Sequence, residues 1–168
     1  HFITKNYREA YGIFACSGIM FNHESPIRSE EFVTRKITKH FSEIKVGKRN
    51  ILELGNLNSK RDWGFAKDYV EAMWLMLQQK KPEDFVIGTG KEHSVEDFAK
   101  KAFSHVGLNY KDYVKIDKSL IRPSEVSTLL ANYSKAKKKL GWKPVISVDH
   151  LIEEMVESDL EFVTNYEY

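Results

Sequence analysis

The sequence predicts an α/β fold, and three observations carry that prediction. Strand-like and helix-like segments alternate along the chain. Ile13 to Phe21 is a nearly continuous apolar run, the pattern of a parallel strand covered on both faces. Val33, Ile37, Phe41 and Ile44 recur at three- and four-residue spacing, the stripe of an amphipathic helix, and Ala66 to Gln79 reads as a second one.

Taken in order, Phe2, Ile3, Tyr7, Ala10 and Tyr11 give a helical stripe that stops at Gly12. The buried strand follows and ends at Asn22. Residues 22–29, broken by Pro26, read as a loop, and a helix spans about 30–44. A turn at Val46 to Asn50 leads to a short strand at Ile51 to Leu54, then to a polar, glycine-bounded loop over 55–64. In the helix over Ala66 to Gln79, the expected contacts are Tyr69, Val70, Met73, Leu75 and Leu77. Phe85 to Ile87 is a strand that runs into Gly88-Thr89-Gly90. Ser94 caps a helix with Asp97 in the capping-box position, ending near Gly107. A strand is expected at Val114 to Ile116 and a loop over 120–126. A short basic helix runs from Ser134 to Gly141, and a last helix from Asp149 to about Val163.

Composition excludes several classes. With 168 residues, 42% apolar and 30% charged, the chain is long enough for a core and is not compositionally disordered. Lys and Arg number 26 against 24 acidic residues, which supports neither nucleic-acid nor membrane-surface binding. No apolar run approaches a membrane span. The single cysteine, Cys16, forms no internal disulfide and reads as an inert buried thiol, so a cytoplasmic setting is the default. The chain opens on His1 and at once on helix, which reads as a chain cut within an element.

Chemistry-bearing motifs are sparse. The G-x-G-x-x-G phosphate loop is absent, and Gly88-Thr89-Gly90, with no third glycine at the required offset, reads as a strand-ending turn. No His, Cys, Asp or Glu grouping has metal spacing, and no nucleophile elbow occurs. Trp63, Trp74 and Trp142 read as packing residues. The lysines at 135, 137, 138 and 139 read as a solvated face. On residues alone, the reading ends at an α/β domain fragment.

Four segments extend that reading: residues 19–37, IMFNHESPIRSEEFVTRKI; Arg61-Asp62-Trp63-Gly64 with Ala66 to Val70; Arg122-Pro123-Ser124-Glu125-Val126; and Ser134 to Lys137 with Leu140 to Pro144. In this order they resemble the GDP-mannose 4,6-dehydratases of the extended short-chain dehydrogenase/reductase superfamily. The last three recur across nucleotide-sugar enzymes, and FNHESP with VTRKI points to GDP-mannose.

The resemblance implies the C-terminal half of a two-part enzyme. Residues 1–24 would end a Rossmann domain. Residues 25–168 would mainly form a smaller, mixed α/β sugar-nucleotide domain, with 65–90 returning to the parallel Rossmann sheet. It further implies NADP as cofactor and an internal hydride cycle that makes GDP-4-keto-6-deoxymannose from GDP-mannose. The parent would be a homo-oligomer, and the catalytic Tyr-x-x-x-Lys would lie just before His1. Tyr133-x-x-x-Lys137 repeats that spelling by chance. Substrate contacts carry over to Asn22, Val33, Lys36, Gly55, Arg61, Arg122 and Glu125. Arg61 and Arg122 would hold the diphosphate and Glu125 a ribose. Cofactor contacts carry over to His23 and Arg28, although Ile27-Arg28-Ser29 departs from the family's two arginines and a glycine. Two rivals stay open: another nucleotide-sugar dehydratase, epimerase or reductase, and a non-catalytic nucleotide-sugar binding module.

Overall fold

The computed structural model describes residues 1–121, 124 and 126–165. Among these residues six α-helices are formed: α1 (Phe2–Tyr11), α2 (Val33–Lys45), α3 (Ala66–Leu77), α4 (Val95–His105), α5 (Ser134–Leu140) and α6 (Val148–Asn165). The nine short strands among the described residues are β1 (Gly18–Met20), β2 (Asn22–Glu24), β3 (Leu52–Leu54), β4 (Lys60–Arg61), β5 (Trp63–Phe65), β6 (Phe85–Ile87), β7 (His93–Ser94), β8 (Val114–Ile116) and β9 (Thr128–Leu129). Parallel pairs join β1 to β6, β2 to β5 and β3 to β8. β4 lies between β7, antiparallel, and β9, parallel. The α/β class is thus observed, with pairing that is mainly parallel.

Two apolar clusters fill the interior. One gathers α2, β3, β5, α4 and α6 around Phe41, Trp63, Phe98, Phe103 and Met155. The other gathers α3, β6 and α5 around Tyr69, Phe85, Ile87 and Trp142, with Cys16 and Met20 against it. Local signals set the helix ends. Ser94 Oγ accepts the Asp97 N–H at 3.0 Å, and Gly12 and Gly141 close α1 and α5 at φ 66° and 68°, where a side chain would be strained.

Several expectations are corrected. The run Ile13 to Phe21 is not one strand buried on both faces. Only Gly18–Met20 pairs, on one edge, and Ile13, Phe14 and Ile19 are exposed. An apolar run reports a need for cover, and among the described residues only β6 pairs with this strand. The loops expected at 22–29 and 55–64 contain β2, β4 and β5. Strands of two or three residues are too short to show alternation. In α3 the buried residues are Tyr69, Ala72 and Met76, with Asp68, whereas Val70, Met73, Trp74 and Leu77 are exposed. The helix is apolar nearly all round, so the pattern could not say which stripe would be covered. Trp74 is therefore not a packing residue here, while Trp63 and Trp142 are. Cys16 is half-buried, with its thiol 3.8 Å from the Met76 carbonyl.

One polar clamp holds the loop that joins β2 to α2, and a second ties α1 to the segments before β1 and β6. Arg35 of α2 pairs with buried Asp159 of α6 at 2.7 Å and donates to the carbonyls of Pro26 and Arg28. Thr38 adds a 2.6 Å hydrogen bond to the same carboxylate. Burial, the largest influence, raises the Asp159 pKa, and Thr38 and Arg35 partly offset it. In the second clamp, Arg8 of α1 donates to Asp84 at 2.7 and 3.0 Å and to the Ala15 carbonyl.

Candidate functional site

Two cavities meet at Asn22. The first, about 340 Å³, is lined by Asn22, Val33, Lys36, Gly55 and Arg61, together with Glu24, Glu31, Phe32, Leu54, Asn56, Ser59, Trp63, Val95 and Leu120. Five of the seven substrate residues expected from sequence therefore share one wall system. The other two, Arg122 and Glu125, lie outside the described residues. The second cavity, about 360 Å³, is lined by Met20, Phe21, Asn22, His23, Arg28 and Leu129, and so contains both expected cofactor residues.

Each contributor owes its place to a local feature. Asn22 does not end the first strand as expected; it opens β2, opposite Trp63 of β5. Val33 and Lys36 sit in the first turns of α2. Arg61 lies in β4 and donates to the Val126 carbonyl at 2.8 Å and to the Lys60 carbonyl at 2.7 Å. Gly55 has a packing reason of its own: a Cβ there would lie 2.8 Å from the Leu120 carbonyl oxygen. His23 is fixed by a 3.0 Å contact from Nδ1 to the Phe21 carbonyl and by the Tyr69 ring, 5.3 Å between centroids. A larger depression of about 780 Å³ lies beside α4, but it contains none of these residues and no cation beyond Lys100 and Lys111.

Two residues with a clear part in this architecture were not singled out from sequence. Glu24 lines the first cavity, is buried, and accepts a 2.7 Å hydrogen bond from Thr34. Burial pushes its pKa up; Thr34 and then Arg28 pull it back. Asp62, fully buried, has Oδ1 accepting from the Thr89 N–H (2.8 Å) and hydroxyl (2.6 Å), and Oδ2 accepting from Gly90 N–H (2.8 Å) and Ala131 N–H (3.1 Å). The Gly88-Thr89-Gly90 turn does cradle an anion, but the anion is the chain's own carboxylate. That disposes of the turn as a phosphate loop. The sequence signal for both is their place inside the quoted motifs, where Asp62 follows Arg61 and Glu24 follows His23.

Tyr133 packs its ring against Trp142, 5.7 Å between centroids, and lines neither cavity, while Lys137 is exposed. Tyr133 is thus a packing residue at the start of α5, and Lys137 lies on its surface. Lys135 and Lys139 pair with Glu83, so that basic segment is matched locally. No helix among the described residues is long and apolar enough to cross a membrane.

Comparison with known proteins gives a consistent answer. The sequence profile of the family described as GDP-mannose 4,6 dehydratase matches residues 1–155. GDP-mannose 4,6 dehydratase 2 of Arabidopsis thaliana is 59% identical over 161 residues, which is 96% of this chain and 43% of that protein. The Homo sapiens GDP-mannose 4,6 dehydratase is 48% identical over 180 residues, 97% of this chain and 48% of the relative. The chain thus spans about half the length of these relatives. Among solved structures, RMD from Pseudomonas aeruginosa complexed with NADPH superposes with TM-score 0.86 at 17% identity, covering 95% of this chain and 52% of that one. UDP-glucose 4-epimerase from Thermotoga maritima with UDP-glucose gives 0.83 at 22% identity, covering 96% and 51%. These two likenesses show the fold, a Rossmann-type α/β architecture.

Proposed function

The chain belongs to the GDP-mannose 4,6-dehydratase family, and from that premise we propose that it forms the nucleotide-sugar-binding part of such an enzyme. The first cavity takes GDP-mannose, and the second takes the phosphorylated end of NADP. The observation that carries the reading is the convergence of Asn22, Val33, Lys36, Gly55 and Arg61 on one cavity. A diphosphate brings about two negative charges, and Lys36 and Arg61 are the cations on that wall. Asn22 stands where the two cavities meet, so a sugar held in one is next to whatever occupies the other.

The fit of the second cavity to NADP rests on Arg28. Its guanidinium stacks 3.4 Å over the Phe32 ring, and no described residue accepts from its terminal nitrogens, which suits a phosphate fork. The fit covers that end only, because the chain has no glycine loop for the pyrophosphate. When bound, the nicotinamide supplies hydride transfer from and back to the sugar, the internal redox step of loss of water from GDP-mannose. This chain's own residues bind and orient the nucleotide sugar; none of the described residues is assigned the proton transfers.

The test is calorimetric titration of the chain with GDP-mannose and with UDP-glucose. GDP-mannose should bind more tightly, and Arg61→Ala should weaken it more than tenfold. The loss of one charge-assisted hydrogen bond, roughly 1.5–3 kcal/mol, exceeds the ~1.4 kcal/mol of a tenfold change. Arg61→Lys should recover part of the loss, since a point charge replaces a planar fork. A folded chain that binds neither ligand would end the proposal, and a preference for UDP-glucose would move it to another nucleotide-sugar enzyme.

A further inference from the structure

The loop between β2 and α2 is held from two sides. Arg35 holds its backbone, at the carbonyls of Pro26 and Arg28. Glu24 holds its side-chain part: its carboxylate lies 3.2 Å from Arg28 Nε and accepts the Thr34 hydroxyl at 2.7 Å. The Nε–H is not aligned for a hydrogen bond, so the contact is an ion pair. Glu24 is only 1% exposed. An ionised carboxylate taken out of water is unfavourable unless a charge compensates it. Arg28 is the cation in contact with it, and the Phe32 ring beneath the guanidinium limits the remaining freedom of that group. A guanidinium carries five donors. Glu24 lies beside Nε as an ion-pair partner, and the four donors on the terminal nitrogens have no acceptor among the described residues. Glu24 lines the first cavity while Arg28 lines the second, so one buried carboxylate touches the walls of both.

We propose that Glu24 is a positioning residue. It fixes the Arg28 guanidinium in the second cavity, leaving the terminal nitrogens for a phosphate, and ties that placement through Thr34 to the first turn of α2, which forms a wall of the first cavity. The proposal rests on the reading of the second cavity as a phosphate site. It differs in sign from the simpler idea that Glu24 neutralises Arg28. Removing a neutralising charge strengthens anion binding; removing a positioning contact weakens it.

Glu24→Gln separates the two. The amide keeps the volume, and its carbonyl oxygen can still accept from Thr34, but the ion pair is gone. The probe is adenosine 2′,5′-bisphosphate, titrated into the chain by calorimetry. A second readout is the arginine Nε–Hε resonance of Arg28, assigned by its disappearance in Arg28→Ala. In Glu24→Gln the resonance should move toward that of free arginine, and the bisphosphate should bind about fivefold more weakly, the scale of one loosened long side chain. In the Arg28→Ala background, Glu24→Gln should have no further effect on binding. Tighter or unchanged binding with an unmoved resonance would overturn the proposal. So would an equal loss in both backgrounds, which would make Glu24 a purely structural residue. If the folded chain binds no bisphosphate, or Arg28→Ala binds it equally well, the phosphate reading of the second cavity fails. The resonance then decides alone whether Glu24 orients Arg28.

Discussion

Replacing Asp62 by Asn exchanges one carboxylate oxygen for an amide nitrogen and keeps the shape. The amide oxygen can still serve one pair of donors, such as the Thr89 N–H and hydroxyl. The amide nitrogen then faces the N–H groups of Gly90 and Ala131, donor against donor. Two hydrogen bonds to a charged acceptor are lost, each about 1.5–3 kcal/mol, and two buried amides lose their partner. Relaxation recovers some of that, so a net loss of about 3 kcal/mol is expected, which for a chain of this size lowers the thermal midpoint by roughly 6–12 °C. The assay is thermal unfolding by circular dichroism, paired with hydrogen exchange at the Gly90 and Ala131 amides, which should lose protection before the core of α2 does. A midpoint within ~2 °C of the parent, with unchanged exchange at both amides, would refute the idea that Asp62 is the anion held by the glycine turn. Asp62→Ala removes all four bonds and is expected to leave little folded chain.

Three further outcomes follow from the structure. The purified chain with added NADP should not convert GDP-mannose, because it contains neither the glycine loop nor a Tyr-x-x-x-Lys pair at either cavity; turnover above a heat-killed control would contradict this. The Asp84 carboxyl is held down at about 2, chiefly by Arg8 and then by the Ser17 N–H. Its folded pKa is depressed, so its contribution is present above about pH 4 and lost as pH falls toward 2. The stability gap between wild type and Arg8→Gln should therefore close over that window in acid titrations followed by fluorescence, and a gap independent of pH would argue against the pair. Finally, Val70, Met73, Trp74 and Leu77 form an exposed apolar stripe on α3, which favours association. Trp74→Glu should reduce light scattering while shifting stability by no more than ~0.5 kcal/mol, and unchanged scattering would clear the stripe.

How far the sequence could be read depended on how local each signal is. Ser94, Gly12 and Gly141 act on their own neighbours, so helix ends were legible. The amphipathic stripe of α2 was legible because one face is polar. The stripe of α3 was not, since the helix offers two apolar faces and only tertiary contact chooses between them. β2, β4 and β5 were missed because strands this short exist through their partners rather than through alternation. At the site, Asn22, Lys36 and Arg61 were named through motif resemblance, and the fold brings them to one cavity. Asp62 and Glu24 were not named. Their roles depend on Ala131 and Thr89 in one case and on Thr34 and Arg28 in the other, and a single sequence does not reveal such pairings.

The Arg35–Asp159 pair has a bearing on where this chain can be shortened. The last helix looks like a natural place to trim, since its final turns carry exposed Glu157 and Glu161. A polypeptide cut after Met155 would keep most of the apolar cluster yet lose Asp159, the buried anion that Arg35 and Thr38 hold. Arg35, 13% exposed, would be left as an uncompensated interior cation. Its cheapest escape is to swing toward solvent and release the carbonyls of Pro26 and Arg28. A trim at one end of the sequence would thus loosen a loop near the other, beside the second cavity. The boundary that preserves that loop lies beyond residue 159.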